Sequence, residues 1–551
     1  MHINCYPAFY DNGGECDMLD VAIIGGGLSG LALARKLHRR KRNVAIFEAS
    51  DRLGGRIFTV PCGDGGGLDL GPTWFWPKTQ PLIAQLVNEL ALADFAQHDE
   101  GAVLHLREAD KSAERLEDKR LYDDARRLRG GMERLAKALV DALPAQAINL
   151  GHQLASLRDC GDHVVLGFKT GEEPMEIPAR YVVLALPPRL IRENIRFTPA
   201  LDEATERAMQ SAETWMAAQA KAALEYPDAF WRSQNLSGSA FVTHEQAVIG
   251  EIFDACDTAA GQYALAGFIA LDADLRESFG VGLPMLMQSQ ICHVFGRDVE
   301  PLRMHFRDWA KERLICSKAD REQRGESDSG DSANPLLRQT LWDKKLYLGG
   351  SETAARNAGY LEGALDAARR IERALTSIDA KKSTQAGDSF GALPLNEASV
   401  ARFAAWVDVR SDEVLEDYRR RLNRALASQE RENMTQVAVL GALEEVFGQA
   451  LNVLATLPFD VDDAPVERGR SSLTPRLQKP FGDLMQSLID DVVAFNRTSC
   501  ALSNFPGEHK LSPDYTQAIM QDVAAAWREF SLAVNGALLA RRGVEKRETA
   551  E

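Results

Sequence analysis

Three glycines at fixed spacing, Gly25, Gly27 and Gly30, lie between a β-branched run, Val21-Ala22-Ile23-Ile24, and an amphipathic stretch from Leu28-Ser29 to Leu37. The chemistry this spacing supports is pyrophosphate binding. Gly25 permits a tight turn, Gly27 lets the backbone approach the phosphates, and Gly30 lets a helix pack closely on the strand. The amides and dipole at the helix start then hold the negative charge. A second run, Asn43-Val44-Ala45-Ile46-Phe47, ends in Glu48. That is about twenty residues on, where a carboxylate can accept both ribose hydroxyls of a dinucleotide.

Glu48 opens the stretch Glu48-Ala49-Ser50-Asp51-Arg52-Leu53-Gly54-Gly55-Arg56. Its arginines can neutralise phosphate charge while the paired glycines keep the backbone close. A plain surface turn would need neither glycine. Further on, Lys221 lies in Gln219-Ala220-Lys221-Ala222-Ala223-Leu224-Glu225-Tyr226. Alternation places Gln219, Lys221, Ala223 and Glu225 on one face of a strand, and residue type alone reads that face as a solvated edge.

Five segments occur in order: VAIIGGGLSGLALARKL, FEASDRLGGRI, LDLGPTW, VVLALPP and LGGSETAARNAGYLEGALDAARRI. With them the chain from about Leu19 to Leu375 resembles a flavin-containing amine oxidase of the monoamine oxidase type. The resemblance implies FAD rather than NAD. It places Gly25, Gly27, Leu28, Ser29 and Gly30 on the phosphates, with Glu48, Ala49, Arg52, Gly54, Gly55 and Arg56 in the next turn. Gly71, Pro72 and Thr73 follow, Leu154 packs beside the adenine, and Gly350, Ser351 and Glu352 meet the ribityl–phosphate region. The Leu361 amide, at a helix N-terminus, would face the flavin O2 side and stabilise charge on the reduced ring.

For chemistry the resemblance implies Lys221, which precedes Phe230-Trp231-Arg232 at the family's spacing, as the holder of a water on flavin N5. It makes Tyr360 one of two aromatic rings around the amine nitrogen and Trp74 part of the substrate cavity wall. The second ring should follow Trp309, but residues 317–334, SKADREQRGESDSGDSAN, contain no aromatic residue. Asn357 replaces a family tryptophan. Covalent members use a cysteine in the same missing stretch; Cys316 is out of register, so FAD is expected to be noncovalent. The implied reaction passes hydride from an amine carbon to flavin N5, with O2 as acceptor. The imine hydrolyses to aldehyde or keto acid plus ammonia, and H2O2 is released. The rival readings are a C–C desaturase or dehydrogenase on the same fold, which the incomplete ring pair would suit, and a flavin-bound scaffold without turnover.

The elements that must position these residues define an α/β fold. We expect a Rossmann-like FAD-binding domain from residues 19–75, 129–189 and 335–378, with an inserted α+β substrate domain from 76–128 and 190–334. A loose arm, 1–18, precedes them. A linker, 379–395, follows, then an all-α appendage, 396–545, which matches no part of the oxidase pattern. Its apolar stripes, such as Leu440, Leu443, Phe447, Leu451 and Leu454, are at helical spacing. The appendage is a candidate surface for a homodimer or a partner protein.

Of 551 residues, 45% are hydrophobic and 26% charged, ordinary for a globular chain. A net charge of -16 argues against nucleic acid and anionic membranes as partners and suits a small-molecule amine. Eight cysteines without C-x-x-C spacing, and ten scattered histidines, give no disulfide framework and no metal site. Free thiols, no secretory leader pattern and no run of eighteen or more apolar residues lead to a cytoplasmic, membrane-free expectation.

Overall fold

The computed structural model describes residues 18–548, apart from 64, 171–172, 323–333, 386–393, 409, 428–432, 462–463, 499–501 and 503–504. The expected arm, 1–18, lies almost wholly outside the described residues, as do the middle of the polar stretch 317–334 and that of the expected linker.

Strand β1 (Leu19–Ile24) pairs in parallel with β2 (Val44–Phe47) on one side and β3 (Glu173–Leu184) on the other. Parallel strands covered on both faces read as unbroken apolar runs, and β1 and β2 have that character. Between them runs α1 (Leu28–Arg39), whose Leu31, Leu33, Ala34 and Leu37 are buried. Each buried leucine contributes roughly 1.5–3 kcal/mol, which fixes the helix on the sheet. Its N-cap is Gly27 and no side chain caps it, so its first amides face the glycine turn without a side-chain acceptor.

The chain returns to this sheet at Leu346–Leu348, parallel to β3. The turn that follows is tied on both sides, by Gly349 N to Leu184 O at 2.8 Å and by Ser29 Oγ to Gly349 O at 2.6 Å. One strand expected in the substrate domain, Arg196–Thr198, instead pairs with Gln153–Asp159 in this first sheet.

A second sheet has the order 303–308, 220–225, 264–269, 249–254, 236–242, 102–106, 114–116. Its strand β4 (Ala220–Glu225) carries Lys221 and is flanked on both edges, by Ala264–Ile269 and Arg303–Asp308. All six residues of β4 are buried. Of the alternating set, Lys221, Ala223 and Glu225 are therefore not a water-facing edge, whereas Gln219, just before the strand, is exposed.

Helix α2 (Pro81–Glu89) begins at the carboxylate of Glu362, which accepts from Leu82 N and Ile83 N at 2.9 Å each. Glu362 belongs to α3 (Leu361–Gln385). That helix runs past residue 379, where the linker was expected to begin, because no glycine or proline interrupts it before Gly387. The linker thus starts later than residue 379.

The chain divides into two compact units, one ending at Glu372 and the other spanning Arg373–Glu551. The boundary falls inside α3. Among the described residues the second unit is helical, apart from a two-residue antiparallel pair at 466–467 and 470–471. Its core includes Phe403, Tyr418, Leu443, Phe447, Phe481, Leu488 and Phe530. Helix α4 (Met434–Thr456) is, by length and composition, apolar enough to cross a membrane, with a mean hydropathy of 1.4. Its Ala438, Ala442, Leu443, Phe447 and Leu454 pack into this core, as in the core helix of a bundle. Its first amides, at Met434 and Thr435, donate to the buried carboxylate of Glu508 at 2.8 and 3.0 Å.

Candidate active site

All the residues singled out from sequence except Gly30 line one cavity in the first unit, which extends from the start of α1 to the start of α3. Gly30 lies one turn behind it. A Cβ on Gly30 would collide with Gly25 O, and one on Gly25, whose φ is +104, would come within 2.6 Å of Ala185 O. Gly27 differs: a Cβ there would meet no protein atom within 4 Å. Two glycines are thus required by the protein's own packing and the third only by what enters the cavity.

The Glu48 carboxylate faces the same turn. It accepts from Gly26 N at 2.7 Å and from Ser50 N and Ser50 Oγ at 2.9 Å. The next turn folds back on the first, with Gly54 N donating to Gly26 O at 2.8 Å. Arg52 braces it: Nη1 donates to Ile57 O at 3.1 Å and Nη2 to Gly55 O at 2.6 Å. Burial, then Arg307, lowers its pKa. These bonds make Arg52 a brace of the turn, and the residue also lines the cavity beside it. Arg56 pairs with Glu352 at 2.6 Å and also donates to Ser351 Oγ at 2.7 Å, joining this turn to the segment after Gly349. From α3, Arg370 donates to Leu348 O at 2.8 Å and Thr353 Oγ1 at 2.9 Å, and burial pushes its pKa down to about 10.

Lys221 stands where the cavity changes character. Its ammonium donates to Gly71 O at 3.0 Å and to Thr73 Oγ1, on the Gly71-Pro72-Thr73 turn. Around it lie the rings of Trp74, Phe253 and Phe268, with centroids 5.5, 5.0 and 5.1 Å from Nζ. Only 2% of the residue is exposed, and burial pushes its pKa down to about 7 against the opposing pull of Asp69. Two of an ammonium's three donors are used, which leaves one for the cavity that Lys221 lines. Trp74 is fixed by stacking on Tyr122 at 4.9 Å and by Nε1 donating to Gln97 Oε1 at 2.9 Å.

Tyr360 immediately precedes α3, and Leu361 is the helix's first residue. The segment after Trp309 supplies no ring to the cavity. Lys318–Glu322 is a short helix there, and Asp320 within it is buried and paired with Arg189 at 2.7 Å. Residues 323–333 lie outside the described residues. Asn357 has φ +49, a conformation asparagine tolerates, so it serves as a turn former. Trp215 was not foreseen. It lines the cavity and its ring lies 5.0 Å from that of Tyr360. It sits in Ala212-Glu213-Thr214-Trp215-Met216-Ala217, which has no periodic pattern, and no sequence signal marked it.

The sequence profile of a family described as flavin containing amine oxidoreductase matches residues 28–118 and 106–371 of this chain. The chain belongs to this family. As a flavin-containing amine oxidoreductase, it is 24% identical over 462 residues to "Amine oxidase [flavin-containing] A" of Equus caballus, an alignment covering 65% of this chain and 84% of that enzyme. A shorter stretch of 87 residues, 16% of this chain and 18% of the relative, is 40% identical to putrescine oxidase of Kocuria rosea. In fold it is similar to cyclohexylamine oxidase from Brevibacterium oxydans IH-35A, with a TM-score of 0.54 and 19% identity over 65% of this chain and 98% of that one. A putrescine oxidase bound to putrescine gives 0.52 and 19% over 66% and 99%.

The cofactor of this amine oxidase is FAD, and the residues present fit it. The uncapped start of α1 and the open space beside Gly27 suit a pyrophosphate, and the cavity continues past the Glu48 carboxylate to the apolar Leu154. At the other end the first residue of α3 opens on the same cavity. No cysteine lines it among the described residues. Cys316 is buried against Ala217 and Ala310, and burial pushes its thiol up to about 11.

Proposed function

We propose that this amine oxidase takes hydride from the carbon of a small-molecule amine and uses O2 as the final acceptor. The observation that carries the reading is Lys221: a buried lysine at the junction of the dinucleotide turn and the aromatic end of the cavity, with a donor left over. FAD held there without a covalent link would supply the two-electron chemistry that couples the amine C–H bond to reduction of O2 to H2O2.

The chain's own residues bind, orient and exclude water. The α1 amides and Gly27 take the pyrophosphate, Glu48 the ribose hydroxyls, and Leu154 the adenine. Arg56, Ser351 and Glu352 form one hydrogen-bonded set beside the ribityl chain. The Leu361 amide offers the positive end of α3 to charge on the ring. Lys221 holds a water next to the reacting face, and its charge stabilises the negative charge that develops as oxygen is reduced. Tyr360 and Trp74 give the amine apolar walls. No side-chain base is needed, because a neutral amine loses hydride directly; the imine then takes up water to yield aldehyde or keto acid and ammonia.

The test is spectroscopic. Adding primary amines in turn to the yellow protein without air should bleach the flavin band with at least one of them. Admitting air should restore it with one H2O2 per amine consumed. If dithionite bleaches the flavin and no amine does, amine oxidation is wrong and C–C dehydrogenation on the same fold takes its place.

A further inference from the structure

Tyr360 has a partner from an unexpected direction. The indole of Trp215 lies against it, ring centroids 5.0 Å apart and planes tilted by 33°. Trp215 comes from the segment between the helix Glu203–Ser211 and β4, and separate contacts seat it. Gly359 has φ +87, and a Cβ there would lie 2.5 Å from that of Trp215, so the missing side chain makes the room. Arg56 Nη1 donates to Trp215 O at 3.0 Å. Thr214 N donates to Asp320 Oδ1 at 3.0 Å, and Asp320 is itself held by Arg189. Ala217 packs with Ala310 and Cys316. The segment after Trp309 thus brings no ring of its own to the cavity but anchors the loop that brings one.

We propose that Trp215 is a specificity-determining residue that limits the bulk carried next to the reacting carbon of the amine, an inference that rests on the amine oxidase reading. Two rings that clasp a substrate need planes about 7 Å apart, two contact distances of roughly 3.5 Å each. A centroid separation of 5.0 Å leaves no such slot. The substrate therefore lies along the open face of the pair, and the pinned indole is a wall rather than half of a clamp. The class admitted is a compact primary amine, unbranched at the carbon that loses hydride. Branched analogues meet the indole.

The experiment compares benzylamine with its branched analogue 1-phenylethylamine on FAD-loaded parent, Trp215→Ala, Trp215→Phe and Asp320→Asn. Dissociation constants come from perturbation of the flavin spectrum without air, and kcat/KM where turnover occurs. Trp215→Ala should raise the affinity for the branched amine relative to benzylamine at least tenfold, about 1.4 kcal/mol. Trp215→Phe should stay near the parent. Asp320→Asn, which removes the charge paired with Arg189 and so loosens the anchor of the loop without touching the indole, should shift the ratio the same way by less. FAD content per chain should not change. An unmoved ratio in both Trp215→Ala and Asp320→Asn at full FAD content overturns the proposal. If the ratio moves but no amine bleaches the flavin, the wall stands and the oxidase reading falls. If benzylamine bleaches and the ratio stays fixed, the reverse holds. If neither amine perturbs the parent spectrum, both fall.

Discussion

At one end of the cavity the surface is main chain: glycine turns, helix amides and a single carboxylate, with side chains absent where Gly25, Gly27 and Gly30 require it. At the other end it is side chain: Lys221, Trp74, Tyr360, Trp215 and Phe268, delivered by separate elements. The difference shows in how each end is held. The glycine end is fixed by collisions that any Cβ would cause, as at Gly25 and Gly30. The aromatic end is fixed by stacking and by hydrogen bonds to neighbours such as Gln97, Gly71 and, through Thr214, Asp320. One end tolerates almost no variation in residue type. The other draws its rings from elements far apart in sequence, as with Trp215 and Tyr360.

The strongest way to break this comparison lies within the glycines. Gly27→Val should fold, since φ -75 and ψ 179 suit any residue and its Cβ meets no protein atom. FAD affinity should fall at least a hundredfold, about 2.7 kcal/mol, with the apo-protein melting temperature little changed. Gly30→Val should instead lower apo-protein stability. Titration with FAD and thermal melts of both variants separate the two causes; FAD retained by Gly27→Val would break the distinction.

Glu48→Ala should have the next effect. Losing hydrogen bonds to a charged group weakens FAD binding by about 1.5–3 kcal/mol. Equal FAD content in variant and parent after dialysis would remove Glu48 from the site.

The smallest expected effect is none. A chain ending at Gln385 keeps the whole cavity lining, which ends at Ala364, and it should bind FAD as the full chain does. A colourless or insoluble product would tie the helical unit to the cofactor end.

The two ends also differ in how much the sequence reveals of them. Gly25-x-Gly27-x-x-Gly30 and Glu48 are legible because main-chain geometry forces residue type at fixed spacing. Lys221 is not legible by residue type. Its alternating neighbours suggest a solvated face, and only the pairing of β4 on both edges buries it. Trp215 lies too far in sequence from Tyr360 for any spacing rule, and the glycine that admits it, Gly359, reads as an ordinary turn residue. The linker's start is not legible because Asp379–Gln385, polar in composition, continues α3.

The central claim is that Lys221 serves the oxygen half of the cycle, and stopped-flow of both flavin steps in Lys221→Met tests it most directly. Lys221→Met keeps the apolar stem and deletes the charge. Anaerobic reduction by amine should fall only modestly, while reoxidation by air should slow at least tenfold, about 1.4 kcal/mol of lost transition-state stabilisation. The sign of the pH dependence follows from the lowered pKa. The ammonium is present below about 7 and lost above it, so reoxidation in the parent should decline as pH rises through that value. The variant's reoxidation should be flat there. Unchanged reoxidation, with the parent's pH profile intact in the variant, would contradict the account.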